Sequence, residues 1–287
     1  MLNYVTPQNG TKTDLSNAPT MSNPWIFDSD RINFTPSNRD GINKVQESYF
    51  KVQGAKFIQR LGAVEMNLHH CTVATGAVFF HRFYMFHSFK MFPVYPMAAT
   101  CLFLAGKVEE TPKKSNDIVR FSKAILADQD FAQFGPDPKE EILTLERILL
   151  QTLRFDLEVE HPYEHLIKYV RQFVVVRDGQ RDESIHTGLI QQAWAFINDS
   201  YCTTVCCQYE PEIVAIAMIL LACKTGSYEI PEWDGQSPEH NYWWDVHVEN
   251  LDELTLEDIC HQVLDALDIC RAQIKPDKPI VVAPVEQ

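Results

Sequence analysis

Apolar residues recur every three to four positions along most of the chain, which is the spacing of one face of an α-helix. Ile142, Leu145, Leu149 and Leu153 form one such series, and residues 213–220 contain another. Strict alternation of apolar and polar residues, the pattern of a half-buried strand, is scarce throughout the sequence. The pattern therefore predicts a mostly or wholly helical protein.

Proline residues mark the predicted starts of several helices, because proline is tolerated at the first helical position. Asp137-Pro138 is the clearest start, since the Asp137 side chain can accept from the free N–H groups of the first turn. Similar starts are predicted at Pro96, Pro112, Pro162 and Pro211. The spacing predicts helices near 43–67, 71–89, 96–108, 113–127, 138–154, 162–176, 184–205, 211–224 and 253–273.

Two short motifs occur twice, which indicates an internal duplication. The segment L-F-L-A-G-K at 102–107 has a counterpart, I-L-L-A-C-K at 219–224, 117 residues later. The segment at 145–153 matches 256–264 at Leu, Glu, Ile, Gln and Leu, 111 residues later. Two motifs that recur in the same order, with nearly the same separation in sequence, favour two similar helical domains. The boundary between these domains is predicted near 156–162.

The charge balance narrows the classes of partner. The chain of 287 residues has 25 Lys and Arg against 39 Asp and Glu, a net charge of -14. This sign opposes binding to a phosphate backbone, so we expect nucleic acid not to be a direct ligand. Hydrophobic residues make up 45% of the chain, but no apolar run approaches the roughly 20 residues that cross a bilayer. The composition predicts a soluble globular protein without a membrane segment.

The first 24 residues and the cysteines bear on the cellular setting. Residues 1–24 are polar and proline-containing and lack the apolar stretch of a secretory signal, so they are predicted to be a disordered leader. Eight cysteines, none in a C-x-x-C motif, are expected to be reduced core residues of an intracellular protein. Cys202, Cys206 and Cys207 lie about one helical turn apart without a paired histidine, which favours buried thiols over metal ligands.

One segment resembles a metal motif. Residues 161–165 fit the H-x-x-E-H pattern of one metalloprotease class. Pro162 puts His161 at or before a helix start, where its side chain points differently from that of His165, so we favour a polar helix entry over a zinc hydrolase. No phosphate-binding glycine loop or nucleophile elbow occurs, so no catalytic residue or cofactor is predicted. Four further histidines show no specific ligand spacing: His69, His70, His81 and His87.

Two charged residues lie beside predicted core positions. Lys107 closes an apolar helix that contains Leu102, Phe103 and Leu104, and Glu146 lies inside the helix that begins after Asp137. A lone Lys or Glu in such a place usually reaches solvent at the helix edge. The functional alternative is that the two side chains pair across two helices and offer spare donors and acceptors to a partner.

The segments around these two charges resemble the cyclin family. Residues 105–110, A-G-K-V-E-E, look like the lysine segment of the cyclin box, and residues 145–157, L-E-R-I-L-L-Q-T-L-R-F-D-L, look like its fifth helix. Four further segments are similar to the transcriptional cyclins, closest to the cyclin K subfamily and less close to cyclin T: 81–89, 106–114, 131–135 and 137–141.

The resemblance implies an all-α fold with two tandem five-helix cyclin boxes and an N-terminal extension. On this basis, we expect residues 25–157 to form the extension and the first box, and residues 158–274 to form the second box. Residues 1–24 would be the leader, and residues 275–287 a tail.

The resemblance also implies a function. A chain of this kind binds and activates a transcriptional cyclin-dependent kinase, which phosphorylates the C-terminal repeat domain of RNA polymerase II in the nucleus. The family residues that match Lys107 and Glu146 form a pair that faces the regulatory helix of the kinase. The kinase-binding residues implied in this way are Lys107, Glu146, Leu104, Val108, Leu150 and Phe155. The chain itself is expected to contribute no catalytic group and to bind no small-molecule substrate.

Two departures and a rival limit what the resemblance implies. Cell-cycle cyclins capture substrates with an M-R-x-x-L segment, but residues 54–61 read G-A-K-F-I-Q-R-L, so no such dock is expected. Lys224 and Glu257 echo the charged pair in the second box and are interpreted as structural. The rival is a tandem-box general transcription factor, similar to transcription factor IIB, that contacts promoter DNA. The net charge of -14 and the lack of a dense basic stripe argue against it.

Overall fold

The fold is almost entirely helical, as the apolar spacing predicts. The computed structural model describes residues 23–180 and 182–272, and within these ranges it contains twelve α-helices and one two-stranded sheet. The leader predicted at 1–24, apart from its last two residues, and the tail predicted at 275–287 lie outside the described residues. In the described part of the chain, no helix is both long and apolar enough to cross a membrane.

The helices fall into an N-terminal segment and two repeats. The N-terminal segment contains α1 (Ser29–Asn33) and α2 (Pro36–Arg39). The first repeat contains α3 (Lys44–Gln59), which continues as a π-helical turn (Arg60–Glu65), then α4 (His70–Tyr84), α5 (Val94–Val108), α6 (Ser115–Ile125), α7 (Asp128–Phe131) and α8 (Pro138–Thr152). The second repeat contains α9 (Pro162–Val170), β1 (Phe173–Arg177), α10 (Glu183–Ser200), α11 (Pro211–Gly226), β2 (Tyr228–Trp233) and α12 (Glu253–Ala272).

Each repeat is built around one central helix. In the first repeat α5 packs against α3, α4 and α8, and in the second repeat α11 packs in the same way against α9, α10 and α12. Both central helices are apolar on nearly every face, and almost all of their residues between Pro96 and Gly106 or between Val214 and Ala222 are buried. The two echoed motifs lie on these central helices and on α8 and α12, so the sequence repetition corresponds to a repeated packing arrangement.

Proline marks three of the five predicted helix starts. Pro138, Pro162 and Pro211 each occupy the first turn of a helix, and the Asp137 carboxylate accepts from the Glu140 N–H at 3.2 Å. The other two predicted starts are wrong by two or three residues. Helix α5 begins at Val94, two residues before Pro96, and α6 begins at Ser115, after Pro112.

A short antiparallel sheet replaces part of a predicted helix in the second repeat. The helix predicted at 162–176 ends at Val170, and the chain then forms β1, which pairs with β2. The three consecutive valines 174–176 explain the change, because β-branched side chains are restricted in a helix and fit a pleated strand. This local difference leaves the all-α class of the fold unchanged.

The second repeat also differs in detail from the first. Between α11 and α12 it has β2, an irregular connection and a 3₁₀ turn at Trp243–Val246, where the first repeat has α6 and α7. Between α11 and α12, this turn is the only helical segment that the structure describes, and it takes the place of α6 and α7. Trp243 and Trp244 are buried, so the turn still covers the core of the repeat.

The N-terminal segment joins the two repeats. The Phe27 N–H donates to the Cys207 carbonyl at 2.9 Å, and Asn23 Nδ2 donates to Glu210 in the second repeat at 3.1 Å. The indole of Trp25 lies under the Arg82 guanidinium at 4.7 Å and donates to Asp156 at 2.8 Å. This segment therefore contacts the first repeat, the second repeat and the connection between them.

Buried histidines link the repeats directly. His81 donates from Nε2 to the Tyr201 carbonyl at 2.8 Å. His161 accepts at Nδ1 from the Tyr201 hydroxyl at 2.9 Å and donates from Nε2 to Thr75 at 2.8 Å, because the Thr75 hydroxyl itself donates to Glu109. Burial lowers the pKa of His81 and the pKa of His161 to about 4, so both rings are neutral at pH 7.

We predict that Gly54→Ala destabilises the protein although alanine is the better helix former. A Cβ at position 54 would overlap the Phe80 ring, which is fully buried and packed against Tyr84 and Phe89. Overpacking of this kind costs about 1–3 kcal/mol. Denaturant unfolding should show the loss in Gly54→Ala and almost none in Ser48→Ala, an exposed position on the same helix. An increase in stability for Gly54→Ala would contradict the close packing of α3 on α4.

We predict that His81 makes the protein less stable as the pH falls from 6.5 towards 4. The unfolded chain protonates this histidine near its ordinary pKa of 6.5, whereas the folded chain keeps it neutral down to about 4. The difference corresponds to about 3 kcal/mol of stability at the acid end of the window. The unfolding free energy of His81→Gln should therefore fall less steeply with pH than that of wild type or of His261→Gln, an exposed control on α12. Equal slopes for all three proteins would refute the prediction.

Candidate functional site

The last turn of α5 brings a charged side chain out of a buried helix. Residues from Pro96 to Gly106 are buried, and Lys107 is the first side chain that reaches the surface, with 45% of it exposed. A cation at this place is favoured because the carbonyl end of a helix carries partial negative charge. Lys107 also lies over the ring of Phe103, with its Nζ 4.2 Å from the ring centroid.

Glu146 meets Lys107 from the neighbouring helix. It lies on the face of α8 that also carries the buried Ile142, Leu145 and Leu149, and the residue is only 9% exposed. Lys107 Nζ donates to both carboxylate oxygens of Glu146, at 2.7 and 2.9 Å. The structure thus confirms that the two residues, far apart in sequence, form a close pair between α5 and α8.

The pair is asymmetric in its exposure to solvent. The Glu146 side chain is 11% exposed, whereas the Lys107 side chain is 45% exposed. Because water still reaches the ammonium group, the pair contributes little to the stability of the free protein, about 0–1 kcal/mol. A partner that covers Lys107 would remove that water and strengthen the interaction.

The four apolar residues of the implied kinase-binding set differ in their exposure. Phe155 is 69% exposed, whereas Val108 and Leu150 are half-buried. Leu104 is only 3% exposed and belongs to the core of the first repeat. A direct contact between Leu104 and a partner therefore conflicts with its burial, and Leu104 supports the site from beneath.

Phe155 owes its exposure to the way α8 ends. Arg154 and Phe155 both have left-handed backbone conformations, with φ of 55° and 58°. The Phe155 N–H donates back to the Leu150 carbonyl at 3.1 Å, which closes the end of the helix. The turn directs the Phe155 ring away from the core and into solvent.

Sequence reasoning missed two residues next to this surface. Phe103 was counted as a core residue, yet its ring supports the Lys107 ammonium group. Asp156, which follows Phe155, accepts from the Trp25 indole at 2.8 Å and so attaches the N-terminal segment beside the site. The spacing of Phe103 and Lys107 at i and i+4 was the available signal for the first contact. Nothing local in the sequence indicates the second, because it joins residues 131 apart.

The second repeat contains the equivalent charged pair. Lys224 on α11 donates to Glu257 on α12 at 3.1 Å, and Glu253 lies 3.9 Å from the same ammonium group. The hydrogen bond with Glu257 raises the pKa of Lys224. The carboxylate of this pair is more exposed, since the Glu257 side chain is 41% exposed against 11% for Glu146.

The histidines of the H-x-x-E-H segment are engaged in hydrogen bonds. Both nitrogens of His161 are bonded, to Tyr201 and Thr75. His165 donates to Glu160 at 2.8 Å and accepts from the Tyr169 hydroxyl at 3.4 Å. The two rings therefore serve different hydrogen-bond networks, which argues against a shared zinc ion at this segment.

Comparison with known protein families matches both repeats to cyclins. Residues 33–158 match the family described as Cyclin, N-terminal domain. Residues 172–266 match the family described as Cyclin-T2-like, C-terminal domain. Each match contains one central helix with its lysine, and the glutamate that pairs with that lysine.

Curated relatives and solved structures agree with these matches. The chain is 47% identical to cyclin-K of Homo sapiens over 89% of its own length and 43% of the relative. It is 46% identical to cyclin-K of Danio rerio over 89% of its own length and 58% of the relative. It is 33% identical to cyclin-T1 of Mus musculus over 88% of its own length and 33% of the relative. The chain thus spans about half the length of the cyclin-K relatives.

Two solved structures have the same fold. A chain of the yeast RNA polymerase II CTD kinase CTDK-1 complex superposes with a TM-score of 0.62 at 20% identity, covering 88% of this chain and 78% of that chain. A viral cyclin from herpesvirus saimiri superposes with a TM-score of 0.54 at 12% identity, covering 78% of this chain and 87% of that chain. With both repeats matched to cyclin domains and the repeated packing in place, the chain belongs to the cyclin family, with cyclin-K and cyclin-T proteins among its relatives.

Proposed function

We propose that the chain is a regulatory subunit that binds and activates a transcriptional cyclin-dependent kinase acting on the C-terminal repeat domain of RNA polymerase II. The observation that carries the proposal is the Lys107–Glu146 pair at the surface of a cyclin fold, with the exposed Phe155 just after the helix that carries Glu146. The cyclin-K relatives support the transcriptional class, as do neighbours that are chains of the CTDK-1 and TFIIK kinase complexes. This role also supports a nuclear location.

Activation follows from the requirements of a protein kinase. The catalytic site of such a kinase needs its own Lys–Glu pair and its metal-binding Asp in place at the same time. A cyclin that binds the active conformation of the kinase more tightly than the inactive one shifts the population towards the active conformation. The change in the free energy between the two conformations equals the difference in binding free energy. In this role the cyclin stabilises a conformation and supplies no reacting group.

The residues of the proposed kinase-binding surface divide by type of contact. Lys107 and Glu146 would supply the charged centre, because charged groups that a partner covers fix the orientation of binding. Val108, Leu150 and Phe155 would supply the apolar contact area around it. Leu104 remains in the proposal only as the buried support of Lys107 and Val108.

Direct promoter binding, the alternative function for a tandem-box protein, has no comparable support. A protein with a net charge of -14 repels the phosphate backbone of DNA, except where a local cluster of basic residues lies on its surface. Lys107, the one basic residue of α5, is already paired with a carboxylate. The kinase-binding function therefore remains the better account of this surface.

We predict that the purified chain has no kinase or hydrolase activity and that it strongly raises the activity of its partner kinase on a peptide of RNA polymerase II repeats. The partner is first identified by affinity capture from nuclear extract with the wild-type chain. Phosphate incorporation is then measured for the chain alone, the kinase alone and the mixture. ATP turnover by rigorously kinase-free chain, or no increase in the mixture, would contradict the proposal.

We predict that Lys107→Ala weakens kinase binding by roughly a hundredfold or more. Removing one partner of a desolvated ion pair costs about 3–5 kcal/mol, and each 1.4 kcal/mol is about tenfold in affinity. In the free chain the same substitution should change the unfolding free energy by less than about 1 kcal/mol, because Lys107 is half-exposed there. Titration calorimetry with the captured kinase and denaturant unfolding measure the two effects.

Lys224→Ala is the matched control for this prediction. It removes the equivalent lysine of the second repeat from an equivalent ion pair with Glu257. Its kinase affinity should stay within about twofold of wild type, less than ~0.5 kcal/mol. A kinase affinity within that range for Lys107→Ala as well would show that the binding surface has been assigned to the wrong residues.

A further inference from the structure

Three potential metal ligands lie together at the start of α4. His69 is the residue before the helix, and His70 and Cys71 are its first two residues. The ligand atoms of the two imidazoles and the thiol all lie within 4.8 Å of one another. They line an open cleft of about 880 Å³ between the first repeat and α9 of the second. Among the described residues, this is the one cluster of three or more such groups.

These ligand atoms are available, unlike those of the H-x-x-E-H segment. His69 Nδ1 accepts weakly from the Cys71 N–H at 3.4 Å, which leaves its Nε2 for another contact. Within residues 23–180 and 182–272, neither ring nitrogen of His70 has a hydrogen-bond partner, and the sulfur of Cys71 accepts only from its own backbone N–H. By contrast, both nitrogens of His161 and both nitrogens of His165 are occupied.

The second repeat holds one of these rings in place. The His70 ring lies 4.9 Å from the ring of Tyr163 and 4.8 Å from the ring of Trp194, close to perpendicular to both. On its other side it contacts the His69 ring at a centroid distance of 4.0 Å. The two imidazoles therefore stay side by side, and little side-chain freedom is left to lose when a ligand binds.

Two carboxylates lie near the thiol. Partial burial and the charges of Glu109 and Glu164 raise the pKa of Cys71. Glu109 accepts from Thr75 with Oε1 at 2.7 Å, so its second oxygen remains for another contact. A divalent cation placed among these groups would offset the repulsion between the carboxylates and a thiolate.

We propose that His69, His70, Cys71 and Glu109 form a binding site for a zinc-class divalent cation. Two imidazoles and a thiolate favour zinc or cobalt, whereas magnesium and calcium prefer oxygen ligands alone. Zinc bonds of about 2.0–2.3 Å place tetrahedral ligands roughly 3.3–3.8 Å apart, so small side-chain rotations close the present spacing of up to 4.8 Å among the two imidazoles and the thiol. Glu109 lines the same cleft and would supply the fourth ligand. Binding displaces the thiol proton of Cys71 to solvent and involves no change of oxidation state.

Such an ion would connect parts of the first repeat next to the second. It would join the start of α4 to Glu109, the residue that follows α5, while Tyr163 and Trp194 hold His70 from the second repeat. An ion that binds only the folded chain raises stability by mass action. The proposed ligands include none of the proposed kinase-binding residues, so the proposal stands independently of the kinase-binding function.

Cobalt titration of the full-length reduced chain tests the proposal. A thiolate ligand should give a charge-transfer band in the near ultraviolet, saturating at one cobalt per chain, and zinc should displace it. Cys71→Ser should abolish the band, and His70→Gln and Glu109→Gln should weaken cobalt binding by about tenfold or more. Zinc should also raise the melting temperature of wild type but not of Cys71→Ser.

Two cysteine controls make the result decisive. Cys223→Ser replaces a half-buried thiol on α11, and Cys202→Ser replaces a thiol that interacts with Cys270 and Lys56 near the end of α12. Both variants should retain the wild-type cobalt band. The proposal is overturned if wild type gives no thiolate band, or if the band survives in Cys71→Ser and disappears in Cys202→Ser.

Discussion

The burial of α5 on nearly all of its faces determines where its single positive charge can go. The helix packs against α3, α4 and α8, so a lysine in its middle would be enclosed by apolar residues. Lys107 lies in the last turn, where the helix leaves the core and the carbonyl end favours a cation. Glu146 provides the opposite charge from α8 without reaching solvent itself. The core thus fixes a charged pair at a defined point on the surface.

The duplication shows which parts of this arrangement belong to the fold and which belong to the site. The second repeat keeps the buried central helix and a Lys–Glu pair, so these follow from the common packing. It has Leu220 where the first repeat has Phe103 beneath the lysine, and the buried Ala266 where the first repeat has the exposed Phe155. Phe103 beneath Lys107 and the exposed Phe155 therefore distinguish the first repeat from the second.

Much of this organisation could be predicted from the sequence, because helix spacing and duplicated motifs are local signals. The helical class, the cap at Asp137 and the pairing of Lys107 with Glu146 agree with the structure, whereas several helix boundaries do not. The sheet was missed because its strands depend on a pairing between segments more than 50 residues apart. The burial of Leu104 and the partnering of His161 also depend on distant contacts, which no spacing rule reports. For the same reason, only the structure distinguishes His70 and Cys71 from the other histidines and cysteines of the chain.

Hydrogen exchange of the chain, free and bound to its kinase, tests the central claim most directly, because it reports the covered surface without any substitution. The account predicts that kinase binding slows exchange of amides in the last turn of α5 and at the end of α8, around Lys107 and Phe155. Amides at the end of α11 and the beginning of α12, around Lys224 and Glu257, should exchange at unchanged rates. Protection around Lys224 and Glu257 without protection around Lys107 and Phe155 would contradict the account.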